Sequence, residues 1–161
     1  MIIRSKAPLR IGLAGGGTDV SPYSDIYGGA ILNATIDLYA YASLEPLDNG
    51  KIEFCIDGTD KSLSVASENE LKLVDGFELF IGVYNRLVKE FELKPLSFRL
   101  TSYIEAPQGS GLGTSSTIVV SLIGAFVEWL KLPLGKYDIA RLAYEIERID
   151  LGMSGGKQDQ Y

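Results

Sequence analysis

Hydrophobic and polar positions alternate through much of the chain, in segments rich in β-branched and aromatic residues. Such alternation predicts a half-buried β-strand at 96–106. Segment 2–14 also predicts a strand, the β-branched and aromatic segment 30–47 predicts one long strand or two, and segment 51–67 predicts a hairpin that turns near Asp57 and Gly58. The first strand is expected to be interrupted at Pro8, because proline cannot donate to a strand ladder. The strand at 96–106 leads directly into a glycine-rich stretch.

Three other segments have helical spacing of their apolar residues. Segment 77–93 is amphipathic, whereas 115–130 is apolar nearly all round and is expected to be buried on most sides. Segment 137–152 has one apolar stripe, formed by Ile139, Leu142, Ala143, Ile146 and Ile149. Because strands and helices do not alternate strictly, the pattern predicts an α+β fold with two layers, a mixed α/β sandwich.

Composition narrows the function classes. The chain has 161 residues, a size typical of one domain (1–161), and its net charge of -6 makes a broad nucleic-acid surface improbable. No charge-free run of about 18 predominantly apolar residues is present, so no membrane span is expected. The single cysteine, Cys55, excludes an internal disulfide and favours a reducing compartment, so the cytoplasm is the expected location. The chain ends in a glycine-rich stretch without a closing element, which we interpret as a truncated product or a domain of a longer protein.

The stretch PQGSGLGTSST, residues 107–117, has the features of a phosphate-binding loop. It places glycines and hydroxyls between a predicted strand and a predicted helix, where free backbone N–H groups and the helix dipole favour an anion. A glycine-rich turn with a Ser/Thr helix cap is an equally good interpretation of these residues alone. The loop lacks the lysine of a Walker motif, so Mg²⁺ would have to neutralise the phosphates.

Glu147 is a candidate ligand for such an ion, because it lies beside Ala140 and Ala143 on the helical wheel and small neighbours allow another helix to approach. The alternative is a border carboxylate paired with Arg148 or solvent. The chain has no histidine. A general base at neutral pH would therefore be a carboxylate, a lysine or a tyrosine.

Three separated stretches together resemble the GHMP small-molecule kinases. They are PLRIGLAGGGTD (8–19), PQGSGLGTSS (107–116) and ERIDLGMSGGKQDQ (147–160), and residues 27–37 also resemble the strand that follows the sugar loop of sugar kinases. The resemblance implies the N-terminal domain of such a kinase, with a fold like domain 2 of ribosomal protein S5. It also implies that the family's C-terminal domain is missing from this chain.

Within the family, the N-terminal stretches are most similar to kinases that act on heptose 7-phosphates. This implies transfer of the ATP γ-phosphate to the anomeric hydroxyl of the sugar, with Mg²⁺ as cofactor. Galactokinases carry Gly-Glu-His-Thr-Asp where this chain has Gly15-Gly16-Gly17-Thr18-Asp19, which argues against galactose. A kinase for an unphosphorylated sugar such as fucose, and an inactive fragment or interaction module, remain the alternatives.

The resemblance also implies roles for individual residues. Asp159 matches the aspartate that takes the proton of the attacking hydroxyl, and Arg10 matches the basic residue that orients it. Ser115 and Glu147 match the Mg²⁺ ligands. The residues that match the nucleotide loop are Pro107, Gly109, Ser110, Gly111, Leu112, Gly113, Thr114 and Ser115. The residues that match the sugar loop are Gly16, Gly17, Thr18 and Asp19. Ser116 departs from the family's usual alanine and adds a hydroxyl.

Overall fold

A computed structural model describes residues 1–107 and 109–161, and these residues form one mixed β-sheet with helices packed on one side. The strands are β1 (Ile3–Ala14), β2 (Leu32–Pro46), β3 (Lys51–Ile56), β4 (Ser62–Ala66) and β5 (Phe98–Ile104). The helices are α1 (Tyr23–Tyr27), α2 (Glu78–Glu90), α3 (Thr114–Leu130) and α4 (Lys136–Glu145), and α4 continues into a π-helical turn at Ile146–Asp150. The predicted α+β, two-layer class is confirmed.

The sheet has the strand order β1-β2-β5-β3-β4. All neighbours are antiparallel except β3 and β5, which are parallel. The predicted interruption at Pro8 is a register shift between Pro8 and Arg10, and β1 continues through it. Proline is tolerated there because β1 is an edge strand. The shift matters for the site, because it precedes Arg10.

The core lies between the sheet and helices α2, α3 and α4. Alternate residues of β2 and β5 point into it, and the ring of Phe98 on β5 meets Phe126 on α3 edge to face, with centroids 5.1 Å apart. Helix α3 packs against strands β1 and β2 and against both neighbouring helices, as its apolar surface predicts. This packing fixes the N-terminus of α3, where the glycine-rich stretch ends. No helix in the described part of the chain is long and apolar enough to cross a membrane.

The prediction that Ile149 belongs to the buried apolar stripe of the last helix is wrong. Ile146 is fully buried, but Ile149 is 68% exposed. The physical reason is the π-helical turn, in which the N–H of Leu151 donates to the carbonyl of Ile146 five residues earlier, at 2.9 Å. The wider turn breaks the 3.6-residue period. As a result, Ile149 faces outward, whereas Glu147 stays at helical spacing from the buried Ala140 and Ala143 and faces the interior.

Candidate functional site

The glycine-rich stretch connects β5 to α3 and leaves the first backbone N–H groups of α3 without side-chain caps. Gly109, Gly111 and Gly113 have φ values of 78°, 75° and 75°, a left-handed conformation that glycine adopts without strain. Most of the stretch is exposed, including Pro107, Ser110 and Ser115, whereas Thr114 is buried at the helix start. Gln108 lies outside the described residues. The stretch therefore presents an open, amide-rich helix N-terminus, the arrangement that favours an anion.

Arg10 joins this stretch to Asp159. Its Nη1 donates to the carbonyl of Gly111 at 2.6 Å, and its Nε donates to Oδ1 of Asp159 at 2.7 Å, while Nη2 contacts the same oxygen. The backbone N–H of Arg10 also donates to the carbonyl of Leu112, at 3.3 Å. A Cβ on Gly113 would lie 3.2 Å from Cγ of Asp159. Residues from three distant parts of the sequence thus meet at one point.

Glu147 is completely buried and lies between α3 and the C-terminal segment. Ser116 donates its hydroxyl to Oε1 at 2.9 Å, and Gln160 donates Nε2 to Oε2 at 2.6 Å. Burial raises the pKa of Glu147, and the hydrogen bonds from Gln160 and Ser116 oppose that rise of the pKa. The nearest cation is Arg148, with Nη1 3.9 Å from Oε1. This carboxylate is therefore solvated by neutral donors and incompletely compensated in charge.

In the segment 16–19, Asp19 contacts the C-terminal residues. Oδ2 of Asp19 accepts the backbone N–H groups of Lys157 at 2.6 Å and Gln158 at 3.0 Å. Thr18 donates its hydroxyl to the carbonyl of Gly15 at 2.7 Å, which closes the turn locally. Gly16 and Gly17 are exposed. Asp19 is thus near Asp159, but its visible partners are backbone amides.

A cavity of about 560 Å³ opens beside Arg10 and Asp159. It is lined by β1, the start of β2, helices α3 and α4, and the last four residues of the chain. Its volume is within the range that holds small molecules. Lys6 and Lys136 also line it, so its wall carries three cationic side chains and the Asp159 carboxylate.

The arrangement also contains polar residues whose position the sequence reasoning did not predict. Ser115, which matches the family's metal ligand, is exposed, and it is Ser116 that hydrogen-bonds to Glu147. Gln160 donates to both Ser116 and Glu147. The signal for Ser116 was its departure from the usual alanine. The signal for Gln160 was its place in the family-like stretch 147–160, but its contacts were not predicted, because its partners are 44 and 13 residues away in the sequence.

Comparison with known proteins agrees with this geometry. The profile of the GHMP kinases N terminal domain matches residues 78–161, just over half of the chain. A D-glycero-alpha-D-manno-heptose 7-phosphate kinase from Campylobacter jejuni is 54% identical over 159 residues, which are 99% of this chain and 47% of that protein.

Solved structures are also similar. The crystal structure of a D-glycero-D-manno-heptose 1-phosphate kinase from Bacteroides thetaiotaomicron has a TM-score of 0.95 and 59% identity, over all of this chain and 52% of that one. A mevalonate kinase structure has a TM-score of 0.81 at 20% identity, over all of this chain and 51% of that one, and it supports the fold alone.

The chain spans about half the length of these relatives. Within that half, the match to the family profile runs from α2 through the glycine-rich stretch to Asp159 and Gln160. The chain therefore belongs to the GHMP kinase family and contains its N-terminal domain.

Proposed function

We propose that this chain supplies the nucleotide- and sugar-binding part of a kinase that transfers the γ-phosphate of ATP to the anomeric hydroxyl of a heptose 7-phosphate. The observation that carries the proposal is the contact of Arg10 with both Gly111 and Asp159. It puts an acid next to an open helix N-terminus, so a hydroxyl and a phosphate bound there would be neighbours. The 54% identity to a heptose 7-phosphate kinase supports the choice of acceptor.

Phosphoryl transfer depends mainly on positioning and on stabilising charge. Asp159 is the proposed base, which accepts the proton of the attacking hydroxyl. Arg10 holds that carboxylate through two of its nitrogens and faces the developing negative charge. Because the guanidinium also donates a hydrogen bond to the Gly111 carbonyl, the distance between the base and the nucleotide loop is fixed before any ligand binds.

The nucleotide phosphates are assigned to the stretch formed by Pro107, Gly109, Ser110, Gly111, Leu112, Gly113, Thr114 and Ser115. The supporting features are its positive-φ glycines, its exposure and the uncapped N–H groups of α3. No lysine is present in the stretch. The backbone amides and the helix dipole therefore supply the protein's part of the attraction.

Mg²⁺ fits beside this stretch on the chemistry of the donors. Glu147 accepts one hydrogen bond on each oxygen, and a carboxylate has about four acceptor sites, so sites remain for a cation. Its burial, with the nearest cation 3.9 Å away, is the environment that a divalent ion would relieve. Glu147 and Ser115 are the proposed ligands, and the ion would supply charge neutralisation for the phosphates.

The acceptor is assigned to the side of Asp159 formed by Gly16, Gly17, Thr18 and Asp19. This segment contacts the residues that precede Asp159 and presents two exposed glycines.

A soluble ATP-dependent enzyme of sugar metabolism would act in the cytoplasm, which also suits the free thiol of Cys55.

A substrate panel tests the proposal. The 161-residue chain, and any longer protein that contains it in the native gene, would be assayed for ADP formation with ATP, Mg²⁺ and one acceptor at a time. The panel holds D-glycero-D-manno-heptose 7-phosphate, the heptose 1-phosphate, L-fucose and D-galactose, and ³¹P NMR locates the new phosphate.

We expect the heptose 7-phosphate to give the highest kcat/KM, with a new phosphate on the anomeric carbon. Preference for L-fucose would favour a kinase for unphosphorylated sugars. Activity with none of these acceptors in either form of the protein would overturn the proposal.

A further inference from the structure

The residues 155–160, here called the acid loop, carry Asp159 and have no helix or strand among them. An irregular segment needs other contacts to hold one conformation. Arg10 and Glu147 hold the side chains of Asp159 and Gln160. The backbone carbonyls of the loop are contacted by side chains only at long range, with Arg148 3.4 Å from the oxygen of Gly156 and Asn33 3.4 Å from that of Gln158. These distances are at the limit of a useful hydrogen bond.

Asp19 makes shorter contacts with the backbone of the same loop. Its Oδ2 accepts the N–H of Lys157 at 2.6 Å and the N–H of Gln158 at 3.0 Å. Both bonds have a charged acceptor, and such bonds are about twice as strong as neutral ones. The two amides directly precede Asp159, so the carboxylate of Asp19 sets the path of the backbone into the base.

The backbone of the acid loop packs directly against the carboxylate of Asp19. A Cβ on Gly156 would lie less than 3.0 Å from Cγ, Oδ1 and Oδ2 of Asp19, a separation that real Cβ atoms do not have. Gly156 does not require glycine for its φ angle, since that φ is not in the left-handed region. Glycine is needed there because the backbone closes directly over the Asp19 side chain.

The other oxygen of Asp19 also faces protein. Oδ1 is buried and has no hydrogen-bond partner among the described residues. The described residues that line the cavity beside Asp159 do not include Asp19. Asp19 as a whole remains partly exposed, so its fixed point in the protein is Oδ2, which accepts the two amides of the acid loop.

We infer that Asp19 is a positioning residue, which fixes the acid loop through the amides of Lys157 and Gln158 and thereby sets the location of Asp159. The importance of that location for the reaction rests on the proposed function. The contact itself does not, so the two can be tested separately.

The first experiment measures amide hydrogen exchange, resolved by NMR, in the unliganded chain. In Asp19→Asn we expect exchange at Lys157 and Gln158 to accelerate about tenfold, because a charged acceptor is lost. The matched control is Asp25→Asn, which removes the same charge from an exposed carboxylate that contacts Ser21 and not the acid loop. Unchanged exchange at both amides in Asp19→Asn would overturn the inference, whatever substrate the protein uses.

The second experiment separates positioning from substrate contact. A positioning role predicts that Asp19→Asn lowers kcat by about tenfold or more, in addition to any change of the acceptor KM, since misplacing a catalytic group raises the barrier of the chemical step. A change confined to KM would overturn it.

Gly156→Ala approaches the same contact from the loop side and provides a second variant should Asp19→Asn not fold. It should reproduce the faster exchange and the lower kcat, because its methyl group pushes the loop away from Asp19. Gly12→Ala is the steric control, since its methyl would meet Gln158 at an ordinary 3.5 Å. Wild-type exchange in Gly156→Ala would contradict the inference.

Discussion

The two carboxylates of the candidate site, Asp159 and Glu147, have opposite surroundings. Asp159 is 24% exposed and is held by the guanidinium of Arg10, so its charge is balanced inside the protein. Glu147 is 1% exposed and is held by a hydroxyl and an amide, with its nearest cation 3.9 Å away. The charge of the first carboxylate is compensated by the chain itself, and that of the second is compensated only in part.

This difference teaches how one site can assign two tasks to the same functional group. A charge that is already paired is suited to a fixed role next to the reacting atoms. A buried carboxylate whose pKa is raised by burial gains from an additional cation, which is the property expected of a metal ligand. Asp159 is paired with Arg10, whereas the next residue in the sequence, Gln160, donates to Glu147.

The largest expected effect comes from removing the charge of Asp159, which Arg10 compensates. We expect Asp159→Asn to lower kcat by about 10²-fold or more, because an amide cannot accept the proton of the acceptor hydroxyl. The Kd for ATP, measured by calorimetry, should change little, since the nucleotide loop keeps its shape.

The control is Asp150→Asn, which removes a carboxylate that pairs with Arg86, 2.9 Å away, on a different surface. Its kcat should match the wild type. Full activity in Asp159→Asn would remove this residue from the role of base.

The second substitution, Glu147→Gln, should weaken the binding of Mg²⁺. We expect the Mg²⁺ concentration for half-maximal activity to rise about tenfold or more, because a neutral amide oxygen is a weaker ligand than a carboxylate. The unfolding midpoint without metal should not fall, since the substitution removes a buried charge.

Glu145→Gln provides the comparison, because Glu145 is two residues away and pairs with Arg86 and Arg141 instead. Its metal titration should be that of the wild type. An unchanged titration in Glu147→Gln would argue against Glu147 as a ligand.

The smallest expected effect distinguishes the two neighbouring hydroxyls of α3. Ser116→Ala should lower the free energy of unfolding by about 1–3 kcal/mol, because it leaves Glu147 and Gln160 each short of a buried partner. Ser115→Ala should change it by less than about 0.5 kcal/mol, because this residue is exposed. Urea denaturation of both variants measures the difference, and equal losses would show that the buried network adds no stability.

Local pattern predicted most of the fold. The alternating segments became β1, β2, β5 and the β3–β4 hairpin, and the apolar helix α3 is buried as expected, because side-chain periodicity is a property of neighbouring residues. The prediction failed at Ile149, where a π-helical turn changed the helical phase. No local pattern shows such a turn, since it depends on how the end of α4 packs against α2 and α3.

The sequence by itself determined the sheet and helix content, the glycine-rich stretch before α3 and, through its ordered motifs, the family. Only the tertiary structure decided that Arg10 reaches both Gly111 and Asp159, that Ser116 contacts Glu147, and that Asp19 accepts amides from the acid loop. The reason is distance along the chain. These partners are separated by 31 to 149 residues, and hydrogen bonds between them exist only after the strands and helices have packed.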